Sequence, residues 1–334
     1  MRAFITGVKG LTLDEEERAF LRDAAPWGAI LFRRNVENPR QIARLTSEIR
    51  TALGRAAPIL VDQEGGRVQR LAGPHWRAYP CAARFETAAE TPEIAERRAW
   101  LGARLMAHDL REVGIDVDCL PVLDTPAPDS HAIISDRAYS RDSDRVARIG
   151  RAAAEGLMAG GVAPVMKHIP GHGRARADSH LELPFVGAPR AELEQIDFLP
   201  FRANADLPMA MSAHVVYTGI DPTAPATLSK TVVDEIVRGW IGFDGLLMTD
   251  DLSMKALTGD FRARAERAIA AGCDMVLHCN GDLAEARPVA EGAPELSGKA
   301  LARAERALAC MQTTEPFDIA AGLAEFETAM GPAV

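Results

Sequence analysis

Apolar residues in this chain gather in eight short runs, at positions 3–6, 28–32, 58–62, 114–120, 162–168, 208–214, 245–250 and 274–278. Between them lie longer stretches, among them 38–53, 93–113, 144–160, 231–239 and 263–271, whose apolar positions recur at helical spacing. Gly54, Gly114, Gly160 and Gly272 end or follow such stretches, where a helix stops most readily. Most of the runs are apolar along their length, as strands buried on both faces should be. Eight strands alternating with helices predict a parallel sheet, and eight repeats predict its closure into a (β/α)8 TIM barrel of the α/β class. An open doubly wound sheet would want a G-x-G-x-x-G turn after the first strand; Gly7 and Gly10 are present without that spacing. From about position 283 the chain becomes Ala- and Glu-rich, with helical spacing over 298–311, and reads as peripheral C-terminal helices. No linker, repeat or low-complexity segment intervenes, so a single domain is expected across 1–334.

The ends of the runs are less ordinary than their interiors. Asp62 ends the third, Lys167 and His168 the fifth, His214 the sixth, and Asp250 with Asp251 the seventh. One charged strand end is easily a structural ion pair. In a barrel, however, all C-terminal strand ends meet at one mouth, where the chemistry of such folds sits.

Three segments carry the candidate chemistry. The first, D-Q-E-G-G-R-V-Q-R from Asp62 to Arg70, sets an acid at a strand end before a Gly-Gly turn and two arginines. Asp62 can accept hydrogen bonds from hydroxyls and Arg70 can hold it or a substrate; capping of the next helix is the plain alternative for Asp62. The second runs from Lys167 to His180 and is rich in Gly and small residues, as befits a loop that carries catalytic groups. His168 and His172 share the H-x-x-x-H spacing of zinc proteases, but that spacing serves a metal on a helix, and Pro170-Gly171 should prevent one. No metal is expected. The D-x-H spacing of Asp178 and His180 suits a carboxylate that fixes an imidazole tautomer and raises basicity at the far nitrogen. In the third segment a short apolar run delivers Asp250 to the mouth, where an ionised Asp can attack an electrophilic carbon. Asp251 competes for that role, with turn capping as its plain explanation.

Composition narrows the partners. The net charge of -9 argues against nucleic acid, since phosphate binding needs a basic surface. The N-terminus lacks a long apolar stretch, and no run approaches the roughly 18 residues of a membrane span, so a cytoplasmic protein without membrane association is expected. The five cysteines are scattered, with no C-x-x-C, and read as reduced thiols.

At the three segments the sequence resembles glycoside hydrolase family 3, in particular its single-domain β-N-acetylhexosaminidases. The family's K-H-[FI]-P-G-H-G…D-S-H stands at Lys167 to Gly173 and Asp178 to His180, its D-x-E-G-G-R-V-x-R at Asp62 to Arg70, and its [ST]-D-D-L-S-M at Thr249 to Met254. The resemblance implies a (β/α)8 barrel, a covalent glycosyl-aspartate and no cofactor. By motif position Asp250 resembles the nucleophile and His180 the acid/base, assisted by Asp178. Asp62, Arg70, Lys167 and His168 resemble the residues that grip a terminal N-acetylglucosamine, and Arg137 a further arginine of the sugar pocket. The implied activity is a retaining β-N-acetylglucosaminidase acting on a small carbohydrate, 1,6-anhydro-N-acetylmuramic acid muropeptides of peptidoglycan recycling, by a monomeric enzyme. Arg174 to Ala177 departs from the commoner family loop and bears on aglycone preference rather than chemistry. Phosphorolysis on the same fold, a non-catalytic sugar-binding barrel and a metal-dependent amidohydrolase are the competing readings.

Overall fold

The computed structural model describes residues 1–128, 131–177, 179, 181–311 and 314–331. Eight parallel strands close into a barrel in chain order: Arg2–Gly7, Pro26–Leu31, Ile59–Val61, Val117–Asp118, Ala163–Ile169, Met209–Ser212, Leu246–Asp251 and Met275–His278, with the last pairing back to the first. Each of the eight apolar runs supplies one strand, and the fold is the predicted TIM barrel. The fourth strand has two residues where the sequence pattern suggested seven.

Side-chain alternation explains why these runs read as continuously apolar. Ile30, Leu60, Val117, Val165, Met209, Met248 and Met275 share one buried cluster. Their strand neighbours Leu31, Ile59 and Val61 pack into a second, and Met166, Ala210 and Leu247 into a third, on the helices. A barrel strand has no solvent face, so a period-2 pattern has nothing polar to display.

Several of the helices begin where the chain offers a side-chain acceptor for their first free N–H groups. Asn38 caps Pro39–Leu53, Thr91 caps Pro92–Glu112, Asp142 caps Ser143–Ala159 and Asp260 caps Phe261–Ala271. Two of the late helices are tied closely to the barrel. Gly298–Ala309 sends Ala304 and Ala307 into the cluster of barrel-interior residues, and Ile319–Met330 packs Phe326 near Phe85 and Tyr79. Among the described residues no helix is long and apolar enough to cross a membrane.

Candidate active site

The third strand ends at Val61, and the chain turns at once into an antiparallel hairpin, Gln63–Gly65 against Val68–Gln69. Gln63 pins it: its Oε1 accepts the Arg70 and Leu71 N–H groups, each at 3.0 Å, and its Nε2 donates to the Leu71 carbonyl at 3.0 Å. Gly65 and Gly66 have φ of +88° and +56°. A Cβ on Gly65 would stand 2.3 Å from the Pro80 carbonyl oxygen, so the turn is wedged against Tyr79–Cys81 as only glycine permits. The hairpin is therefore a firm platform at the barrel mouth.

Asp62 and Glu64, two residues apart, project to one side of this platform. Lys167 Nζ, from the fifth strand, lies 2.8 Å from Asp62 Oδ1 and 2.6 Å from Glu64 Oε1. Arg70 Nη2 donates to Asp62 Oδ2 at 2.9 Å, and the Arg137 guanidinium meets Glu64 through two bonds of 2.8 Å. Burial alone would push the two carboxyls up. The charges of Lys167 with Arg70, and of Lys167 with Arg137, outweigh it and hold Asp62 well below the usual carboxylate range and Glu64 at about 2. Lys167 is correspondingly raised, since its two carboxylates overcome a burial that leaves only 2% of it exposed. Asp62, Glu64, Lys167 and Arg137 are thus ionised across the physiological range. Phe32 lies under two cations, Arg34 at 5.0 Å and Arg70 at 5.3 Å from its ring centroid, which steadies the Arg70 plane.

Beside this cluster His168 Nδ1 lies 2.6 Å from Asp124 Oδ2. Asp124 is fully buried and also accepts the His172 N–H at 2.6 Å through Oδ1. Burial raises its carboxyl, but His168 and the hydrogen bonds prevail and keep it lowered. His172 is buried too, and burial with its neighbour His168 lowers its imidazole to about 4, so it is neutral at physiological pH. Its Nε2 lies 3.2 Å from the Ser179 hydroxyl. Residues 168–172 form no helix, as Pro170-Gly171 required; the fifth strand ends at Ile169 and a turn follows.

Asp250 and Asp251 have different surroundings. The Asp251 N–H donates to Asp250 Oδ1 at 2.7 Å. Both oxygens of the Asp251 carboxylate serve the backbone turn: Oδ1 accepts the Ser253 and Cys279 N–H groups at 3.0 and 3.1 Å, and Oδ2 accepts the Ser253 hydroxyl at 2.6 Å. His214, at the end of the sixth strand, supports the same turn from Nε2, 3.0 Å from the Asp251 carbonyl, with Thr227 Oγ1 2.8 Å from its Nδ1.

Asp62, Arg70, Arg137, Lys167, His168 and Asp250 all line one cleft of about 270 Å³, together with Glu64, His172 and Ser179. That is near the small end of ligand pockets, about 300–1,000 Å³, and suits one sugar ring better than a long glycan. Adjacent strand residues normally face opposite ways, yet Lys167 with His168, and Asp250 with Asp251, reach the same cleft. A register shift between Lys167 and Ile169, and another between Met248 and Asp251, supply the local rotation. Asp178 and His180 lie outside the described residues.

Three buried acids were missed by the sequence reading: Glu64, Asp118 and Asp124. Glu64 stands inside a motif already quoted, where its spacing of two from Asp62 was the available signal. Asp118 and Asp124 sit on and after the short fourth strand, and nothing in their local sequence announces Lys167, Gln63 or His168 as neighbours. Asp118 Oδ1 accepts the Gln63 N–H at 2.9 Å, whereas Oδ2 is buried with no hydrogen-bond partner among the described residues. Among the described residues no group of three or more His, Cys, Asp or Glu is placed to hold a metal ion.

Comparison with known proteins places the geometry in context. The chain matches the glycosyl hydrolase family 3 N terminal domain over residues 5–306. It is 38% identical over 286 residues to a β-hexosaminidase of Tolumonas auensis, covering 84% of this chain and 83% of that one. It is 41% identical over 284 residues to a β-hexosaminidase of Bordetella avium, covering 83% and 81%. Its fold superposes on NagZ from Neisseria gonorrhoeae in complex with N-trifluoroacetyl-D-glucosamine, with a TM-score of 0.86 and 34% identity over 99% of this chain and 98% of that one.

Proposed function

The chain belongs to glycosyl hydrolase family 3 and is a β-N-acetylhexosaminidase, and from that premise we propose that it removes terminal, non-reducing β-linked N-acetylglucosamine with retention, through a covalent intermediate on Asp250. The whole chain acts as one catalytic domain in this reading. The observation that carries it is a difference in commitment between the paired acids, both of which reach the cleft: both Asp251 oxygens are engaged by Ser253 and Cys279, while Asp250 takes the Asp251 N–H through Oδ1 beside the ion cluster.

Asp62, Arg70 and Lys167 grip the sugar. A hydroxyl both donates and accepts, so a carboxylate beside two cations meets both halves of its capacity. His168, oriented by Asp124, and Arg137, oriented by Glu64, complete the grip. In the first step Asp250 attacks the anomeric carbon as the glycosidic oxygen takes a proton and departs. In the second, water attacks the same carbon, gives up a proton, and frees Asp250. The motif assigns the proton transfers to His180 with Asp178. An imidazole titrates near neutrality and can serve as acid and then as base, and a carboxylate partner favours its protonated form.

Substrate assistance by the 2-acetamido group would need a second carboxylate to orient the amide, and the commitment of Asp251 to the turn weighs against that role. The substrate proposed is an N-acetylglucosaminyl-1,6-anhydro-N-acetylmuramic acid muropeptide, in cytoplasmic peptidoglycan recycling. The test is a 5-fluoro N-acetylglucosaminyl trap followed by peptide mapping. Label on Asp250 is expected, with Asp250→Ala inactive on p-nitrophenyl N-acetyl-β-glucosaminide. Label on Asp251, or turnover without any trappable ester, would remove the nucleophile assignment. A rate that rises with added phosphate and yields a sugar phosphate would replace hydrolysis by phosphorolysis.

A further inference from the structure

Two arginines cross in opposite directions between the hairpin platform and the segment 131–137. Arg137 leaves the segment to grasp Glu64 on the hairpin. Arg67 leaves the hairpin and grasps the segment. Its Nε donates to Asp136 Oδ1 at 3.0 Å, and its Nη2 reaches the carbonyls of Ala132, Ile133 and Ile134 at 3.0, 2.6 and 3.3 Å. The first contact is buried, whereas the Arg67 and Asp136 side chains remain 44% and 41% exposed. A solvated pair of this kind contributes little to global stability. Its geometry, however, is directed at one short stretch of backbone.

That stretch matters to the cleft. Ile133 and Ile134 line it next to Arg137. The segment is also joined to the loop that follows the fifth strand, where the His131 N–H donates to the Ala175 carbonyl at 2.8 Å; earlier in the chain the Ala127 N–H donates to the Gly173 carbonyl of the same loop at 3.0 Å. On its other side the hairpin cannot give way, because Gly66 donates to the Tyr79 carbonyl at 2.8 Å and a Cβ there would meet Cys81 at 2.7 Å. The fixed partner is therefore the hairpin, and the fastened partner is the wall.

We propose that Arg67 is a positioning residue for glycoside binding: it latches the 131–137 segment onto the hairpin so that Ile133, Ile134 and Arg137 form a preassembled wall of the sugar pocket. Without the latch the wall must be ordered when the sugar arrives, and that ordering weakens binding. The inference rests on the sugar-pocket reading given above.

Three variants test it, Arg67→Ala, Arg67→Lys and Asp136→Ala, each assayed on p-nitrophenyl N-acetyl-β-glucosaminide and each followed by amide hydrogen exchange without substrate. Asp136 does not line the cleft, so it separates latching from direct contact. Arg67→Ala is expected to raise KM about fivefold with kcat changed less than about twofold, the pattern of lost binding rather than lost chemistry. Asp136→Ala should raise KM in the same direction by a smaller factor. Arg67→Lys, which keeps the charge but not the fork over three carbonyls, should fall between wild type and Arg67→Ala. Exchange should quicken at 131–137 in Arg67→Ala, with the unfolding midpoint nearly unchanged. An unchanged KM overturns the proposal. So does a raised KM in Arg67→Ala with neither faster exchange at 131–137 nor any effect of Asp136→Ala, which would make Arg67 a direct substrate contact. Absence of activity in the wild type on this glycoside would instead sink the underlying functional reading, and the exchange result would still judge the latch.

Discussion

Glu64 and Arg137 meet fork to fork, Nε to Oε2 and Nη2 to Oε1, each at 2.8 Å, while Lys167 approaches the same carboxylate at 2.6 Å. Glu64 is 4% exposed, so removing its charge takes away the carboxylate that Arg137 grasps and leaves Lys167 with Asp62 alone of its two carboxylates. Glu64→Gln should cost about 3 kcal/mol, in the range for breaking a buried ion pair, and should raise KM for N-acetylglucosaminides. The carboxyl is held at about 2 in the fold against an ordinary value near 4.5. A lowered folded-state value gives stability that is fully present above about pH 4.5 and lost as pH falls toward about 2. Denaturant unfolding of both proteins at pH 6 and pH 3 checks this. The gap between wild type and variant should narrow at pH 3, and a gap independent of pH would count against the assignment.

Asp118 has the opposite sign. Burial pushes its carboxyl well above the ordinary range, with the nearby acids Asp62 and Glu64 adding to the rise. The folded state then keeps a proton that the unfolded chain has released above about pH 4, so this group makes stability fall as pH rises. Asp118→Asn preserves an acceptor for the Gln63 N–H and does not titrate. The stability of the variant relative to wild type should therefore improve from pH 5 to pH 8, by up to about 1.4 kcal/mol per pH unit. A difference that stays constant over that range would mean Asp118 is ionised in the fold.

Asp251 reaches the cleft, but both of its carboxylate oxygens brace the turn at the end of the seventh strand. Asp251→Asn keeps one oxygen acceptor but turns the other position into a donor toward Ser253. Activity should fall about 10- to 100-fold through displacement of Asp250, yet the fluorinated trap should still label Asp250. Complete loss of labelling in Asp251→Asn, with the fold intact by circular dichroism, would return Asp251 to the list of candidate nucleophiles.

Two histidines of the second segment are committed to protein partners, His168 to Asp124 and His172 to Ser179. Dialysis against a chelator should leave kcat/KM unchanged. Loss of activity that is restored by a divalent cation would favour the metal-dependent reading.

The barrel was legible because most of the runs are apolar along their length and the longer helices between them carry caps or stops, signals that need no knowledge of neighbours. The motif residues at strand ends were legible for the same reason: convergence at one mouth follows from the fold itself. Asp124 illustrates what was hidden. It belongs to no charged strand end, and only the approach of the fifth strand to residues 121–124 brings it within 2.6 Å of His168.

The eight apolar runs and their polar ends were enough for the architecture and for the set of polar groups delivered to the mouth, while roles for Asp250, His180 and Asp178 came only as what the family resemblance implies. Tertiary structure decided which charges are paired. Lys167 lies 105 positions from Asp62, and Arg137 lies 73 from Glu64. Such pairs depend on strand register and on small bulges that turn adjacent residues the same way, and neither is written locally. The same holds for Asp250 and Asp251, chemically alike and adjacent in sequence. Contacts from Ser253 and Cys279 commit one of them to the backbone turn; the Ser253 contacts are local, but the Cys279 N–H arrives only once the seventh and eighth strands lie side by side.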